Sequence, residues 1–199
     1  METKVIIFDL YDTLIYCPKE YKRKPYLNFF RQIGLTKGEM NDWVNKIMTQ
    51  NYESFESIKN EVRPDLEIDL SVYQNDLAEE MQSVRAFDDT HKVLERLSQK
   101  YRIFCLSNLA TPYKQCYFEI GLDKWIEKPF FSCDMGMKKP DPEFFNSVLS
   151  FCNSEGDNIL PSQVVMIGDN PINDYEAALN VGMKTILKNK SLSEVTINL

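Results

Sequence analysis

Residues 4–14 read KVIIFDLYDTL. Val5, Ile6, Ile7 and Phe8 form a short apolar run of β-branched and aromatic side chains. Such a run predicts a strand buried on both faces, as in parallel sheets. It stops at Asp9, which is followed by Tyr11, Asp12 and Thr13. A carboxylate at the carboxyl end of a buried parallel strand lies where open α/β sheets place their ligands.

Outward from this stretch the chain changes character twice. Residues 16–85 are polar and helix-patterned. Pro18 opens a helix through Tyr26, Phe29, Phe30 and Ile33, with Pro25 as a break inside it and Gly34 as its cap. Thr36 and Glu39 have capping-box spacing, and Trp43, Ile47 and Met48 share the following face. Two more helices are expected over Phe55 to Val62 and from Leu70 through Met81. From Ala86 strands and helices alternate. The expected strands run from Arg102 to Leu106, through Phe130 and Phe131, from Val164 to Ile167 and from Met183 to Leu187. The helices between them start near Asp89, Pro112, Pro142 and Ile172. This alternation predicts an α/β fold with a parallel sheet and right-handed crossovers. The core is expected over 1–15 and 86–199, with 16–85 inserted as a helical cap.

The 199 residues are 43% hydrophobic and 12% aromatic, enough for a substantial core. A formal net charge of -7 argues against a nucleic-acid binder. No apolar run is long enough to span a bilayer, and no signal peptide is visible. The five cysteines form no CxxC pair, which speaks against zinc or a disulfide framework and for free thiols in a cytoplasmic protein. The expected assembly is a monomer or a weak homodimer.

Four segments should meet at one sheet edge. They carry Asp9 with Thr13, Ser107 with Asn108, Lys139, and Asp169 with Asp174. A carboxylate can attack phosphorus or carbon. Ser107, Asn108 and nearby backbone amides can hold an anionic oxygen. Lys139 supplies a positive charge. Carboxylates crowded beside an anionic substrate repel one another, and Mg²⁺, which prefers carboxylate and phosphate oxygens, resolves that repulsion.

These segments resemble the haloacid dehalogenase-like hydrolase superfamily. FDLYDTL is similar to its first motif, LSN to its second, KKPDPEFF to its third and IGDNPINDYEAALNVGM to its fourth. The resemblance implies a Rossmann-like, doubly wound parallel sheet of order 3-2-1-4-5 with a helical cap. It implies Asp9 as nucleophile, and Thr13 and Ser107 as phosphoryl-binding groups. Lys139 takes the place of the motif lysine. Asp9, Asp169 and the Tyr11 carbonyl would hold Mg²⁺, with Asp174 supporting the metal waters or Lys139. The implied activity is phosphate release from a small phosphorylated metabolite through an aspartyl-phosphate.

One position departs from that pattern. Phosphatases of the superfamily carry Asp two residues after the nucleophile as general acid and base; here Tyr11 stands there. Tyrosine at this place resembles the metal-free 2-haloacid dehalogenases, which is the alternative reading. A non-enzymatic binding protein of the same fold is the third. Asp169 and Asp174 favour the phosphatase, since extra carboxylates beside Asp9 make sense with a cation. Outside the motifs, His91 reads as a surface residue, Lys22, Arg23 and Lys24 as a solvated helix face, and Tyr26, Phe29, Phe30 and Trp43 as core of the insertion.

Overall fold

The computed structural model describes residues 2–154, 156–197 and 199. The chain begins with β1 (Val5–Phe8), all four residues buried, and leaves the sheet through β2 (Ile15–Tyr16). Helices α1 (Pro25–Gln32), α2 (Lys37–Thr49), α3 (Phe55–Val62) and α4 (Ser71–Gln82) follow. The chain returns through β3 (Arg85–Ala86), which pairs antiparallel with β2 as Ile15↔Ala86 and Tyr16↔Arg85. Exit and re-entry of the helical segment are thus tied together at one point.

Beyond β3 come α5 (Thr90–Ser98), β4 (Arg102–Ser107), α6 (Lys114–Glu119) and β5 (Lys128–Phe131). Then follow α7 (Ser132–Met135), α8 (Pro142–Ser154) and β6 (Val164–Gly168). The last elements are α9 (Ala177–Asn180), β7 (Lys184–Leu187) and α10 (Leu192–Val195). The five long strands form one parallel sheet in the order β5-β4-β1-β6-β7. Counted over these five strands alone, that order is the expected 3-2-1-4-5.

Period-two alternation divides the core between the two faces of the sheet. Ile6, Phe8, Ile103, Cys105, Val165 and Ile167 pack with α5 and α6. Val5, Ile7, Phe104, Leu106, Val164 and Met166 pack with Phe144, Phe145 and Val148 of α8. β1 lies at the centre with helices on both sides, which explains its unbroken apolar run.

The helical segment has its own apolar cluster, built on Tyr26, Phe29, Phe30, Ile47, Phe55 and Ile58. The capping box is present: the Glu39 amide donates to Thr36 Oγ1, and the Thr36 amide donates to Glu39 Oε2. α1 differs from its expectation. Only a three-residue turn forms at Lys19–Tyr21, and the helix starts at Pro25, where a missing N–H costs nothing. The fourth-motif helix also differs, because Pro171–Glu176 winds as a π-helix before α9. Among the described residues no helix is long and apolar enough to cross a membrane.

Phe29 is fully buried, with ring contacts to Phe30, Phe55 and Tyr73. Phe29→Ala is expected to destabilise the protein by ~3–5 kcal/mol in denaturant titration. A loss of less than ~1 kcal/mol would show that this cluster does not hold the helical segment together.

Candidate active site

Because the strands are parallel, their carboxyl ends share one edge, and the turns that leave it carry the polar residues. Asp9 follows β1, and its amide donates to the Ile167 carbonyl at 2.9 Å, so pairing with β6 continues one residue past the strand. The amides of Leu14 and Ile15 then donate to the Leu10 carbonyl, closing a tight turn that leaves Thr13 buried. Asp12 sits in that turn in the left-handed region, at φ 59°. Its carboxylate is exposed and lies 3.5 Å from Lys22 Nζ, turned outward as its place in the turn predicts.

Lys139 is the hub. Its Nζ donates to Asp9 Oδ1 and to Asp174 Oδ1, both at 2.6 Å, and the residue is only 3% exposed. Two hydrogen bonds fix its backbone: Asn108 Nδ2 donates to the Lys139 carbonyl, and the Lys139 amide donates to Asn108 Oδ1, each at 2.8 Å. Asn108 thus couples the β4 edge to the loop before α8. Ser107, the last residue of β4, is buried beside it.

The fourth segment is shaped by Asn170 and Gly168. Asn170 Oδ1 accepts from the amides of Ile172 and Asn173 and caps the π-turn. The Asn170 amide donates to Asp174 Oδ2 at 3.0 Å, so both Asp174 oxygens are engaged. A Cβ on Gly168 would lie 2.2 Å from Asp174 Oδ2, a distance no side chain tolerates. Asp169, exposed, takes a weak hydrogen bond from Thr13 Oγ1 at 3.5 Å.

One carboxylate oxygen from each of Asp9, Asp169 and Asp174 lies within 4.8 Å of the others. Burial raises the Asp9 carboxyl to about 6; Lys139 opposes this, and Asp174 adds to it. Burial and Asp174 also push Asp169 upward. Burial alone would lower Lys139, but Asp9 and Asp174 more than offset it and hold the ammonium charged. Three carboxylates therefore face one lysine. This all-oxygen, net-negative donor set fits a hard divalent cation.

The structure brings Asp9, Asn108, Lys139, Asp169, Asp174 and Thr13 together as a linked set. Tyr11 behaves differently. Its ring stands edge-on to Tyr113, with centroids 5.9 Å apart, and its hydroxyl is buried beside Cys116. Burial, then Cys116, raises that phenol far above its ordinary range, so it is no acid or base near neutrality. Beside it lies a cavity of about 360 Å³ between the sheet edge and α1 and α2, lined by Tyr11 and Asn108 on one side and by Leu27 and Met48 on the other.

Outside the motifs one reading is corrected and two are extended. His91 is half-buried against the Trp125 ring, 5.0 Å away, with Nδ1 unpartnered among the described residues. Lys22, Arg23 and Lys24 are solvated, as expected, but they precede α1 rather than lying along a helix; Arg23 pairs with Glu79, and Lys22 and Lys24 also border the cavity. Tyr26 is buried, as expected of core, but it also forms part of the cavity wall. No sequence signal pointed to Glu80, which accepts from the Lys24 amide and from the Tyr113 hydroxyl and straps α4 to both. The five cysteines are buried and form no disulfide among the described residues.

Comparisons with known proteins agree with this fold. The haloacid dehalogenase-like hydrolase family matches residues 3–182. Over 105 residues the chain is 30% identical to a glyceraldehyde 3-phosphate phosphatase of Pyrococcus furiosus; that stretch is 52% of this chain and 42% of the relative, so the chain spans less than half of the relative's length. A HAD family enzyme from Bacteroides thetaiotaomicron, solved as a magnesium complex, superposes with a TM-score of 0.72 at 20% identity, covering 98% of each chain. A 2-haloacid dehalogenase from Pseudomonas syringae superposes with a TM-score of 0.65 at 18% identity, over 95% of this chain and 89% of that one. The fold is therefore common to both chemistries, and the side chains must separate them.

Gly168→Ala tests the tightest contact in the site. It is expected to lower stability by ~1–3 kcal/mol in thermal or denaturant unfolding, because Asp174 must move. A variant as stable as the parent would show that the Asp174 carboxylate does not pack against Gly168.

Proposed function

The chain belongs to the haloacid dehalogenase-like hydrolase family, and from that premise we propose that it is a Mg²⁺-dependent phosphatase of small phosphorylated metabolites. The observation that carries the reading is the buried Lys139 shared by Asp9 and Asp174, with Asp169 inside the same oxygen cluster. A metal-free carboxylate attack on carbon has no use for three converging carboxylates. Phosphoryl transfer needs positive charge around the transferring oxygens, which such a cluster can gather.

In this reading Asp9 is the nucleophile. Lys139 holds Oδ1, and Oδ2 is the oxygen left to attack phosphorus. Attack forms an aspartyl-phosphate and breaks the P–O ester bond, the alkoxide leaving with the electron pair and taking its proton from water; water then hydrolyses the acyl phosphate, releasing phosphate and restoring Asp9. Thr13, Ser107 and Asn108 hold the phosphoryl oxygens, and Lys139 balances the charge of the nucleophile. Asp174 and Asn108 act through Lys139, fixing its ammonium and its backbone. Asp9, Asp169 and the Tyr11 carbonyl would hold Mg²⁺, with Asp174 at the cluster's inner side. The ion would supply charge neutralisation and electrophilic assistance. Residues 16–85 act as a cap over the core of 1–15 and 86–199.

Hydrolysis of p-nitrophenyl phosphate with Mg²⁺ and with EDTA, beside chloride release from 2-chloropropionate, tests the reading. Metal-dependent phosphate release that vanishes in Asp9→Asn is expected. EDTA-insensitive halide release would replace this account with the dehalogenase, and silence in both assays would leave a binding protein.

Tyr11 generates a second prediction. General acid–base help is typically worth ~10²–10⁴-fold, so its absence should show most where the leaving group needs a proton. Tyr11→Asp is expected to raise Mg²⁺-dependent hydrolysis of alkyl phosphates by ~10-fold or more, and of aryl phosphates much less. An equal or lower rate on both would mean that the side chain at this position does not limit turnover.

A further inference from the structure

The cavity beside Tyr11 is not used by the reaction as described above. Its volume, about 360 Å³, falls in the range of small-molecule pockets, ~300–1,000 Å³. It adjoins the carboxylate cluster through two residues. Tyr11 lies two positions beyond Asp9, and Asn108 is hydrogen-bonded to Lys139. A phosphoryl group at Asp9 would therefore direct its ester group into this space.

The walls are apolar and partly aromatic. Leu27 of α1 and Val44, Ile47 and Met48 of α2 face Tyr11 and Tyr113 from the core side. A sugar or polyol in this space would lose its water-facing hydroxyls to side chains that cannot replace those hydrogen bonds. The polar groups at the border are already engaged or turned outward. Glu80 accepts from the Lys24 amide and the Tyr113 hydroxyl, Lys22 pairs with Asp12, and Lys24 is exposed.

Among the described residues the border offers no free carboxyl or imidazole to protonate a departing oxygen, and the ammonium groups of Lys22 and Lys24 lie exposed at its rim. Glu80 is tied as described, and the Tyr11 hydroxyl is buried beside the edge-on Tyr113 ring. Burial pushes the Cys17 thiol up to about 11. A leaving group in this space has to depart as an anion. Phenols, with pKa ~10, do so far more readily than aliphatic alcohols, which resemble water at ~15.7.

Shape and chemistry thus select the same partner. Resting on the phosphatase reading, we infer that the substrate is an aryl phosphate monoester whose aromatic group occupies the cavity between α1, α2 and the Tyr11–Tyr113 pair. Attack by Asp9 on phosphorus breaks the P–O(aryl) bond, and the phenolate leaves with the electron pair and takes its proton from water.

Three substrates with Mg²⁺ test this: 2-naphthyl phosphate, phenyl phosphate and acetyl phosphate. Acetyl phosphate also needs no protonation to leave, but it has no body to fill the cavity. KM for 2-naphthyl phosphate is expected about tenfold or more below that for acetyl phosphate, with phenyl phosphate between them. Leu27→Trp and Met48→Trp, on two different helices, fill the space. Each is expected to reduce the ratio of kcat/KM for 2-naphthyl phosphate over acetyl phosphate by about tenfold. Using both guards against a folding defect in one. If acetyl phosphate is hydrolysed but the aryl esters show no KM advantage, or the ratio survives both substitutions, the substrate class is wrong and the phosphatase stands. If none of the three is hydrolysed, the phosphatase reading falls and this inference falls with it.

Discussion

A lysine ammonium almost fully removed from water is tolerated only when anions compensate it. Lys139 meets that condition through Asp9 and Asp174, each 2.6 Å away. Breaking a buried pair of this kind typically costs ~3–5 kcal/mol, because the remaining charges are left uncompensated. The same bonds that make the site stable also aim the nucleophile. Asp9 cannot rotate freely while Lys139 holds one of its oxygens, and Lys139 cannot move while Asn108 holds its backbone at both N–H and C=O. One lysine therefore joins three strand ends into a single charged unit.

The rest of the fold serves to bring these pieces to one edge. β1 is the central strand, so its end lies between the ends of β4 and β6. Asp9 must then stand between Asn108 and Asp169, whatever the helices do. Gly168 lets the chain pass so close to Asp174 that no side chain fits between. Asn170 caps the following turn and ties the second Asp174 oxygen. The helical segment is attached through the β2–β3 ribbon and the Glu80 strap, and it borders the cavity rather than the carboxylates themselves.

Much of this was legible in the amino-acid order. The apolar run at Val5 to Phe8 could only be a strand covered on both faces, and Asp9, Ser107 and Asp169 each end such a strand. Lys139 was legible through the resemblance of KKPDPEFF to the third motif, in which it is the lysine directly before Pro140. Other features were not. Pairing of Asn108 with Lys139 depends on a distance between two loops that no local pattern encodes. The π-turn at Pro171–Glu176 follows from capping by Asn170, which helical periodicity does not reveal. Tyr11 was noticed as a departure, but its burial against Tyr113 and Cys116 arises from packing between elements far apart in sequence. The cavity was invisible for the same reason: its walls come from α1, α2 and two core loops, and their residues read individually as ordinary core.

Convergence of the acidic side chains on a single cation is the proposition on which the catalytic account rests, and it can be measured without any substrate. Magnesium titration by calorimetry on the parent protein and on Asp169→Asn addresses it directly. One equivalent should bind the parent, and the substitution should weaken binding by at least ~10-fold, since one anionic ligand is lost at short range. Equal affinity in both proteins, or no binding to the parent, would contradict the account.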